Sequence, residues 1–380
     1  MKNKRRGVLL FSCGLVAVVS AAIVLGGGAP SALPLVRHPT PEGPVSGVQE
    51  VLLQPKKHIQ TDAVRALYAT MYTAGNTDKL GRLITLADET EVNAVVVDVK
   101  GSGGELIFDM LDTEALVQKL HDHGIYAIAR IVVFQDSGIV EAYPDAAITK
   151  KNGGVWRDRR GFAWADPASS QSHERIIAIS KRAADAGFDE INYDYIRFPT
   201  DGNMTDMRYP VWDEQQPRSD VIAEFARTAR AAIRAHDPDV ALSIDIFGYT
   251  FIRSDDLGIG QRLESLVDAF DGIYPMVYPS HYSTGNFGFQ NPADHPYEVI
   301  VGTLESGFEH LGEKADSVRP KVRPWLQAFN LGARYTPDKM RAQMQATLDG
   351  VGAATSTGWL LWDPKNEYPG AREYLDKEDK

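Results

Sequence analysis

The chain has 380 residues, of which 43% are hydrophobic, and a formal net charge of −11. This composition provides ample apolar material for a core, and it excludes a chain that is disordered over most of its length. The acidic balance argues against nucleic acid as a partner and fits a neutral or cationic ligand. Cys13 is the single cysteine, so the chain can form no internal disulfide and the part beyond the N-terminus has no thiol chemistry.

Residues 1–28 are predicted to be a targeting segment. The basic run MKNKRR precedes a stretch of apolar or small residues from Gly7 to Gly28, which is long enough to cross a bilayer of roughly 30 Å. An uncleaved anchor and a cleaved signal peptide both fit, and the length favours the anchor; a lipoprotein signal at Cys13 is a third alternative. The basic flank predicts export of the rest of the chain, which would be membrane-anchored outside the cytoplasm, or secreted or periplasmic after cleavage.

Residues 29–60 are rich in proline, which predicts a stiff linker between the membrane and a folded domain at 61–380. The membrane is expected to be contacted only through the N-terminal segment.

From about residue 65, strand-like apolar runs alternate with helical patterns. The predicted strands are RALYATMY, NAVVVDVK, YAIARIVV, EINYDYIRF, ALSIDIFG, GIYPMVY, VRPWLQAF and GWLLWD, and the predicted helices span 78–90, 112–124, 172–186, 218–236, 257–269, 296–312 and 336–351. Alternating strands and helices predict parallel pairing through crossovers. Eight units over about 300 residues favour an α/β fold with a single closed (β/α)8 TIM barrel over an open doubly wound sheet.

The stretch GFDEINYDYIRFP places charged residues in and just beyond the fourth strand. Because strand side chains alternate between faces, Glu190, Asn192 and Asp194 share one side, and we expect it to face the barrel interior. Glu190 lies deeper and is predicted to be structural. The same alternation on other strands places inward residues near the carboxyl ends, where the active sites of such barrels are built; these residues are Asp98, Lys100, Arg130, Asp245, Tyr278, Gln327 and Trp362.

Asp194 and Asp245 are the predicted catalytic pair. Two facing carboxylates can act as nucleophile and as acid/base, which is what cleavage of a glycosidic bond requires. The two residues end neighbouring strands about 4.8 Å apart, which fits the ~5–5.5 Å separation of a retaining pair. Asp98 would stand further from Asp194, nearer the spacing of an inverting pair. The alternative is that these aspartates only form internal salt bridges with the basic residues Lys100, Arg130 and Arg197.

Tryptophans near the predicted mouth are candidates for stacking on sugar rings. Trp156 and Trp164 lie in the long segment after the third strand, and Trp362 ends the eighth. Flat aromatic faces suit the apolar faces of sugars, although the same rings could equally pack under long loops. The segments 134–171 and 199–217 exceed ordinary connection lengths, which favours a functional role.

The histidine motifs give weaker evidence for a catalytic or metal-binding role. In YPSHY, Ser280 and His281 cannot form a nucleophile–base pair by sequence spacing alone. Both are predicted to line the pocket beyond the sixth strand, with His281 as a candidate partner of the substrate or of a carboxylate. His121 and His123 end a helix before the third strand, on the wrong face for the metal site of an amidohydrolase, so we interpret them as structural. No zinc-like spacing is found, and neither a metal nor another cofactor is predicted.

Several motifs together resemble a bacterial family of TIM-barrel glycoside hydrolases, first defined as a domain of unknown function. The likeness runs from about Tyr68 to Tyr368, and its motifs include VNAVVVDVKGSGGELIF, GFDEINYDYIRFPTDG, PMVYPSHY and WLLWDP. NYDYIRFP is more often QFDYIRFP in the family, a departure that leaves Asp194 and Arg197 in place. A distant likeness to α-amylase-like and α-galactosidase-like barrels implies that Asp194 is the nucleophile. Gln327 ends the seventh strand where the large cellulase-type clan has a glutamate, so that clan's catalytic pair is absent.

The sequence therefore predicts an exported barrel that hydrolyses a carbohydrate polymer or oligosaccharide of the cell envelope or matrix. A non-catalytic carbohydrate-binding or envelope-scaffold barrel is the alternative. The predicted catalytic residues are Asp194 and Asp245, and the predicted substrate-binding residues are Asp98, Lys100, Arg130, Trp156, Trp164, Arg197, Tyr278, His281, Gln327 and Trp362.

Overall fold

The computed structural model describes residues 58–376. The predicted targeting segment, 1–28, and almost all of the predicted linker, 29–60, lie outside this range. Of the helices between residues 58 and 376, none has the length and apolar character needed to cross a membrane.

Within the described residues, eight parallel strands close into one barrel in sequence order. The strands are β1 (Val64–Ala69), β2 (Ala94–Lys100), β3 (Tyr126–Val132), β4 (Glu190–Asp194), β5 (Ala241–Phe247), β6 (Gly272–Met276), β7 (Trp325–Gln327) and β8 (Gly358–Trp362). β8 pairs with β1 through Val64 and Gly358 and their successors, which closes the ring. The predicted strands and the predicted single α/β barrel are confirmed.

Helices surround this barrel, one after each strand. They are α1 (Thr77–Glu89), α2 (Thr113–Asp122), α3 (Ser170–Asp185), α4 (Arg218–His236), α5 (Leu263–Leu266), α6 (Pro296–Leu311), α7 (Pro337–Val351) and α8 (Ala371–Tyr374), with further single turns at Met71–Ala74, Ile139–Ala142, Tyr249–Ile252 and Ala315–Val318. The predicted helix 257–269 was too long, because Gly258 and Gly260 adopt positive φ angles of 69° and 83° that a helix cannot contain. Only the four-residue α5 forms there.

Side-chain caps fix where several helices begin. Asn76, Asp112 and Thr336 each accept a hydrogen bond from a backbone N–H in the first turn of α1, α2 and α7. Such caps satisfy donors that a helix N-terminus otherwise leaves free. The helices then pack their apolar faces on the outer face of the strands.

Alternation along the strands divides the buried residues into two clusters. The outer cluster lies between strands and helices and includes Val95, Val97 and Ile191. The inner cluster fills the barrel and includes Val64, Ala66, Tyr68, Ala94, Val96, Tyr126, Ile128, Tyr274, Tyr278, Trp325 and Leu360. Apolar residues therefore fill much of the barrel interior. The polar residues on the same inward face lie mainly towards the carboxyl ends of the strands.

The two long segments after β3 and β4 are partly ordered by pairing with each other. Thr149–Lys150 and Met207–Arg208 form a two-stranded antiparallel sheet, and Trp156 Nε1 donates to the Asn203 carbonyl at 2.9 Å. These segments cover one side of the mouth.

An aspartate–histidine network lies at the opposite end of the barrel. Asp189 accepts hydrogen bonds from the backbone N–H of Ile59 and of Ala127, both at 2.7 Å, and contacts His121 at 2.9 Å. His123 contacts Asp88 at 2.9 Å. Contacts at the amino ends of barrel strands ordinarily serve stability, in agreement with the structural interpretation of His121 and His123.

Gly358 is required where the barrel closes. Its φ is +107°, and a Cβ there would lie 1.9 Å from the Val64 carbonyl oxygen. Gly358→Ala is therefore expected to lower the free energy of unfolding by about 3 kcal/mol, measured by urea denaturation. Gly81→Ala is the matched control, because a Cβ at Gly81 meets nothing within 4 Å and should stabilise α1 by about 0.5–1 kcal/mol. Equal stability of the two variants would contradict this account of the closure.

Candidate active site at the barrel mouth

Three aspartates from three strands surround one arginine. Arg130 of β3 donates from Nη1 to Asp98 Oδ1 at 2.5 Å and from Nη2 to Asp194 Oδ2, and its Nε lies 3.8 Å from Asp245 Oδ2. The side chains of Asp98, Arg130, Asp194 and Asp245 are 12%, 6%, 8% and 1% exposed. Buried carboxylates need counter-charges or hydrogen bonds, so these four residues, the acidic cluster, form one electrostatic unit.

Strand register explains why these residues meet. Arg130 stands opposite Asp98 on β2 and opposite Asn192 on β4. Asn192 in turn stands opposite Ser243 on β5. Asp194 and Asp245 are the next inward residues on their strands, since inward positions recur every second residue. The predicted convergence of Asp98, Arg130, Asp194 and Asp245 at one mouth agrees with this geometry.

Asp245 has the environment of a carboxyl group that keeps its proton. Its Oδ1 accepts hydrogen bonds from Asn192 Nδ2 at 3.0 Å and from Trp325 Nε1 at 2.7 Å. Burial, reinforced by the charge of Asp194, raises the pKa of Asp245 well above its usual range, although Arg130 opposes the shift. Among the described residues, none hydrogen-bonds Oδ2, which lies 3.8 Å from Arg130 Nε. Oδ2 is therefore the atom from which a proton could be delivered.

Asp98 is held from two sides. The Tyr68 hydroxyl donates to its Oδ2 at 2.5 Å while Arg130 occupies its Oδ1. Burial raises the pKa of Asp98, against the opposing effects of Arg130 and Tyr68. Asp98 therefore also has a carboxyl group that is easier to protonate than an exposed aspartate.

Asp194 is fixed at a strained turn. Its Oδ1 accepts the backbone N–H of Tyr195 at 2.6 Å, and its Oδ2 accepts from Arg130. Tyr195 has a φ of 53°, in the left-handed region, which costs on the order of 1 kcal/mol or more for a residue with a side chain. The Phe134 N–H donates to the Tyr195 carbonyl at 3.2 Å and helps to hold this turn. The strained turn aims the Asp194 carboxylate at Arg130.

Aromatic side chains form a wall beside the acidic cluster. Trp362 stacks on Tyr68 with ring centroids 3.9 Å apart, and the Arg130 guanidinium lies 5.1 Å from the Trp362 ring. Tyr278 packs edge-on against Phe329 at 5.7 Å and lies 5.3 Å from the exposed His281. Trp362 and Phe329 are only partly buried and His281 is exposed, so this wall borders the mouth.

Lys100 does not join the acidic cluster. The pairing of β2 with β3 shifts register between Asp98 and Lys100, so that Lys100 stands opposite Ile131 of the outer cluster. Its Nζ donates to the Val132 carbonyl at 2.6 Å and lies 3.4 Å from Asp136 Oδ2. Burial lowers the pKa of Lys100 to about 8. The β-bulge thus turns Lys100 towards the loop after β3, which it stabilises.

Trp156, Trp164 and Gln327 are also placed away from the free surface of the mouth. Trp156 and Trp164 are 1% and 0% exposed, and the indole N–H of Trp164 donates to Asp158 at 2.9 Å. Gln327 is fully buried, and its Nε2 donates to the carbonyls of Phe329 and Leu331 at 3.0 and 3.2 Å. In this structure these residues organise the loops and present no face for a sugar ring.

Glu190 lies one layer below the acidic cluster in a separate polar network. It accepts from the hydroxyls of Ser243 at 2.5 Å, Tyr126 at 3.2 Å and Tyr274, and it pairs with Arg323 at 3.2 Å. With all these partners, Glu190 supports the floor of the mouth, in agreement with its structural interpretation.

Three further residues touch the carboxylates; sequence reasoning placed Asn192 on the inward face without a role, and it did not single out Tyr68 or Trp325. Tyr68, Asn192 and Trp325 donate hydrogen bonds to Asp98 or Asp245. All three occupy inward positions on β1, β4 and β7, so strand alternation could have identified them. Within residues 58–376, no group of three histidine, cysteine or acidic side chains is placed to hold a metal ion.

Three solved structures are similar to this chain over part or most of its length. A hypothetical protein from Ruminiclostridium thermocellum ATCC 27405 is 33% identical over 47% of this chain and 96% of its own, with a TM-score of 0.42. TtGalA, an α-galactosidase from Thermus thermophilus solved with p-nitrophenyl α-D-galactopyranoside, is 15% identical, with a TM-score of 0.52 over 84% of this chain and 62% of its own. A β-galactosidase from Marinomonas ef1 is 12% identical, with a TM-score of 0.53 over 79% of this chain and 54% of its own.

At these identities, the likeness to the two galactosidases concerns the barrel fold, and the chain spans only 54–62% of their length. The comparison with curated proteins gave no match. The family model described as "Putative glycosyl hydrolase domain" matches residues 66–368, which include every strand from β2 to β8 and the whole acidic cluster. The chain therefore belongs to this family of glycoside-hydrolase-like TIM barrels.

Proposed function

We propose that this barrel is a retaining glycosidase in which Asp194 is the nucleophile and Asp245 the acid/base. The proposal rests on one observation: Asp194 and Asp245 lie beside the same Arg130 guanidinium, but their carboxyl groups have different surroundings. Asp194 is paired with Arg130, whereas burial and the charge of Asp194 raise the pKa of Asp245. Neighbouring carboxyl groups in such different surroundings, one paired with a cation and one easier to protonate, are the pattern of acid/base catalysis. The family description supports the reaction class.

In the first step, the ionised Asp194 carboxylate attacks the anomeric carbon while Asp245 donates its proton to the leaving glycosidic oxygen. The glycosidic C–O bond breaks, and a glycosyl ester forms on Asp194. In the second step, Asp245, now ionised, takes a proton from water as the water oxygen attacks the anomeric carbon. The ester bond breaks, which releases the sugar and restores both carboxyl groups. Arg130 stabilises the Asp194 carboxylate as it leaves.

The substrate that we propose is a polysaccharide of the cell envelope or the extracellular matrix. The predicted targeting segment, 1–28, and linker, 29–60, support a barrel that acts outside the cytoplasm, and the aromatic wall of Trp362, Tyr278 and Phe329 supports a carbohydrate ligand.

A non-catalytic carbohydrate-binding barrel is the second candidate, favoured by the near-complete enclosure of Asp245. Screening the purified protein against a library of glycans separates the two candidates. Hydrolysis of any glycan by the wild type that Asp194→Asn lacks supports the enzyme. Binding of a glycan with no release of reducing ends supports the second candidate.

The pH dependence identifies the acid. A general acid must be protonated, so kcat/KM is expected to fall as the pH rises through the raised pKa of Asp245, which sets the alkaline limb. Asp245→Asn should remove that limb and slow polysaccharide hydrolysis by about 100- to 10,000-fold, with a smaller loss on aryl glycosides whose leaving group needs no proton. Loss of the limb in Asp98→Asn instead would transfer the role to Asp98, the more exposed carboxyl group.

The same shift has a consequence for stability. Because the pKa of Asp245 is higher in the folded than in the unfolded chain, the folded state is favoured at low pH. The free energy of unfolding falls as the pH rises from the ordinary carboxyl range to the raised pKa, by about 1.4 kcal/mol per pH unit. Asp245→Asn should flatten this dependence.

A further inference from the structure

Arg197 lies next to the acidic cluster but outside it, at the carboxyl ends of β4 and β5. Its guanidinium sits over the rings of Tyr195, Trp164 and Phe247, at 4.9, 5.0 and 5.1 Å from their centroids. The residue is only 7% exposed. Aromatic faces attract a cation but do not neutralise its charge, so this cage leaves a full positive charge in a poorly hydrated place.

Among residues 58–376, no carboxylate lies within 4.0 Å of this guanidinium. Nη1 donates to the Phe198 carbonyl at 3.0 Å and to Thr200 Oγ1 at 3.3 Å. Nε and Nη2 have no acceptor in the same part of the chain, and neither nitrogen is sealed from solvent. Among the described residues, the other buried arginine, Arg130, is paired with carboxylates. Arg197 therefore presents an open edge with free donors.

The nearest carboxylates are engaged elsewhere or stand further off. Asp158 accepts from Gln135 Nε2 at 2.6 Å and from Trp164 Nε1 at 2.9 Å, and Asp201 and Asp194 act on Arg197 only through longer-range attraction. Burial without a paired counter-charge lowers the pKa of Arg197. A buried cation in this state gains most from an anion supplied from outside.

The rim beside Arg197 is basic, although the chain as a whole carries −11. Arg157, Arg159 and Arg160 are exposed on the turn that leads to Trp164, and none of them forms an ion pair within the described range. Arg159 and Arg160 lie close enough to act electrostatically on Asp201, as Arg197 does. These arginines and Arg197 make this side of the rim locally attractive to anions.

We propose that the Nε–Nη2 edge of Arg197 binds the carboxylate of an acidic sugar unit, so that the glycan acted on contains uronic-acid-type residues. This inference rests on the proposed function, which makes the mouth a glycan site. Two parallel N–H groups on one guanidinium edge match the two oxygens of a planar carboxylate. Arg197 and Asp194 are close enough to interact electrostatically. A carboxylate bound by Arg197 would therefore place the acidic sugar unit beside the proposed nucleophile.

Binding is tested by calorimetry on the full chain carrying Asp194→Asn, so that cleavage does not interfere. The probes are trimers of galacturonate, glucuronate and mannuronate, each compared with its fully methyl-esterified form. At least one acidic trimer is expected to bind at least about ten-fold more tightly than its ester, as loss of a charge-assisted bidentate contact implies. Adding Arg197→Met should abolish this preference. Adding Arg197→Lys should remove most of it, because lysine keeps the positive charge but lacks two parallel N–H donors.

Arg227→Met is the control, because Arg227 is exposed on α4 on the outside of the barrel and its loss should leave the preference intact. Arg197→Met should fold normally by thermal unfolding, since it removes an unpaired buried charge.

No preference for any acidic trimer, or a preference that survives Arg197→Met, would overturn the inference. An Arg197-dependent preference for a sulfated trimer alone would overturn the carboxylate assignment. Hydrolysis of neutral glycans that does not depend on Arg197 would refute this inference and leave the proposed function standing. Binding of acidic trimers that depends on Arg197, without hydrolysis of any glycan, would support this inference and refute the proposed enzyme.

Discussion

Asp194→Asn is expected to lower kcat/KM for any hydrolysed glycan by at least about 10,000-fold, because an amide cannot form the glycosyl ester on which the reaction depends. Binding of the glycan should change little, since asparagine keeps the shape of the side chain and its Oδ1 can still accept the Tyr195 N–H. The measurement is release of reducing ends alongside calorimetric binding of the same glycan.

Asp62→Asn is the matched control for this variant. Asp62 is exposed just before β1, at the amino end of the barrel, so the same chemical change there should leave kcat/KM unchanged. Thermal unfolding of both variants separates a catalytic loss from a folding defect. Activity of Asp194→Asn within ten-fold of the wild type would refute the assignment of the nucleophile.

Arg130→Met is expected to destabilise the protein more than any other single change in the mouth. The substitution leaves Asp98, Asp194 and Asp245 without the cation that all three contact. Removing one partner of a buried ion pair costs about 3–5 kcal/mol, because the remaining charge stays buried. The free energy of unfolding from urea denaturation at neutral pH should fall by about that amount, and hydrolysis should be lost with it.

Two comparisons make this expectation specific to the buried cluster. Arg253→Met removes an exposed pair with Asp255, and surface pairs contribute only about 0–1 kcal/mol. Adding Asp98→Asn to Arg130→Met should recover part of the lost stability, because one of the stranded charges is then gone. A loss below about 1 kcal/mol in Arg130→Met would show that the three carboxylates do not depend on Arg130.

The barrel could be predicted from sequence because strand and helix patterns alternate with little ambiguity. The inward position of Asp98, Arg130, Asp194 and Asp245 followed from two-residue periodicity alone, which holds while a strand stays regular. Lys100 shows where this reasoning fails. The β-bulge between Asp98 and Lys100 shifts the register of Lys100, and nothing in NAVVVDVK marks it.

Loop residues were harder to place than strand residues. Trp156 and Trp164 follow no periodic pattern, and whether their rings face solvent depends on how the segments after β3 and β4 pack together. The same packing gives Arg197 its aromatic cage and keeps carboxylates away from it. Such features are set by contacts between residues far apart in sequence, which local patterns do not encode.

Product stereochemistry is the most direct test of the two-carboxylate account. The wild-type protein is incubated with a glycan that it cleaves, and the anomeric protons of the first product are followed by NMR before mutarotation. An initial product with the same anomeric configuration as the substrate is predicted, because two displacements at Asp194 invert the centre twice. An initial product of opposite configuration would mean that water attacks directly, and Asp194 would not be the nucleophile.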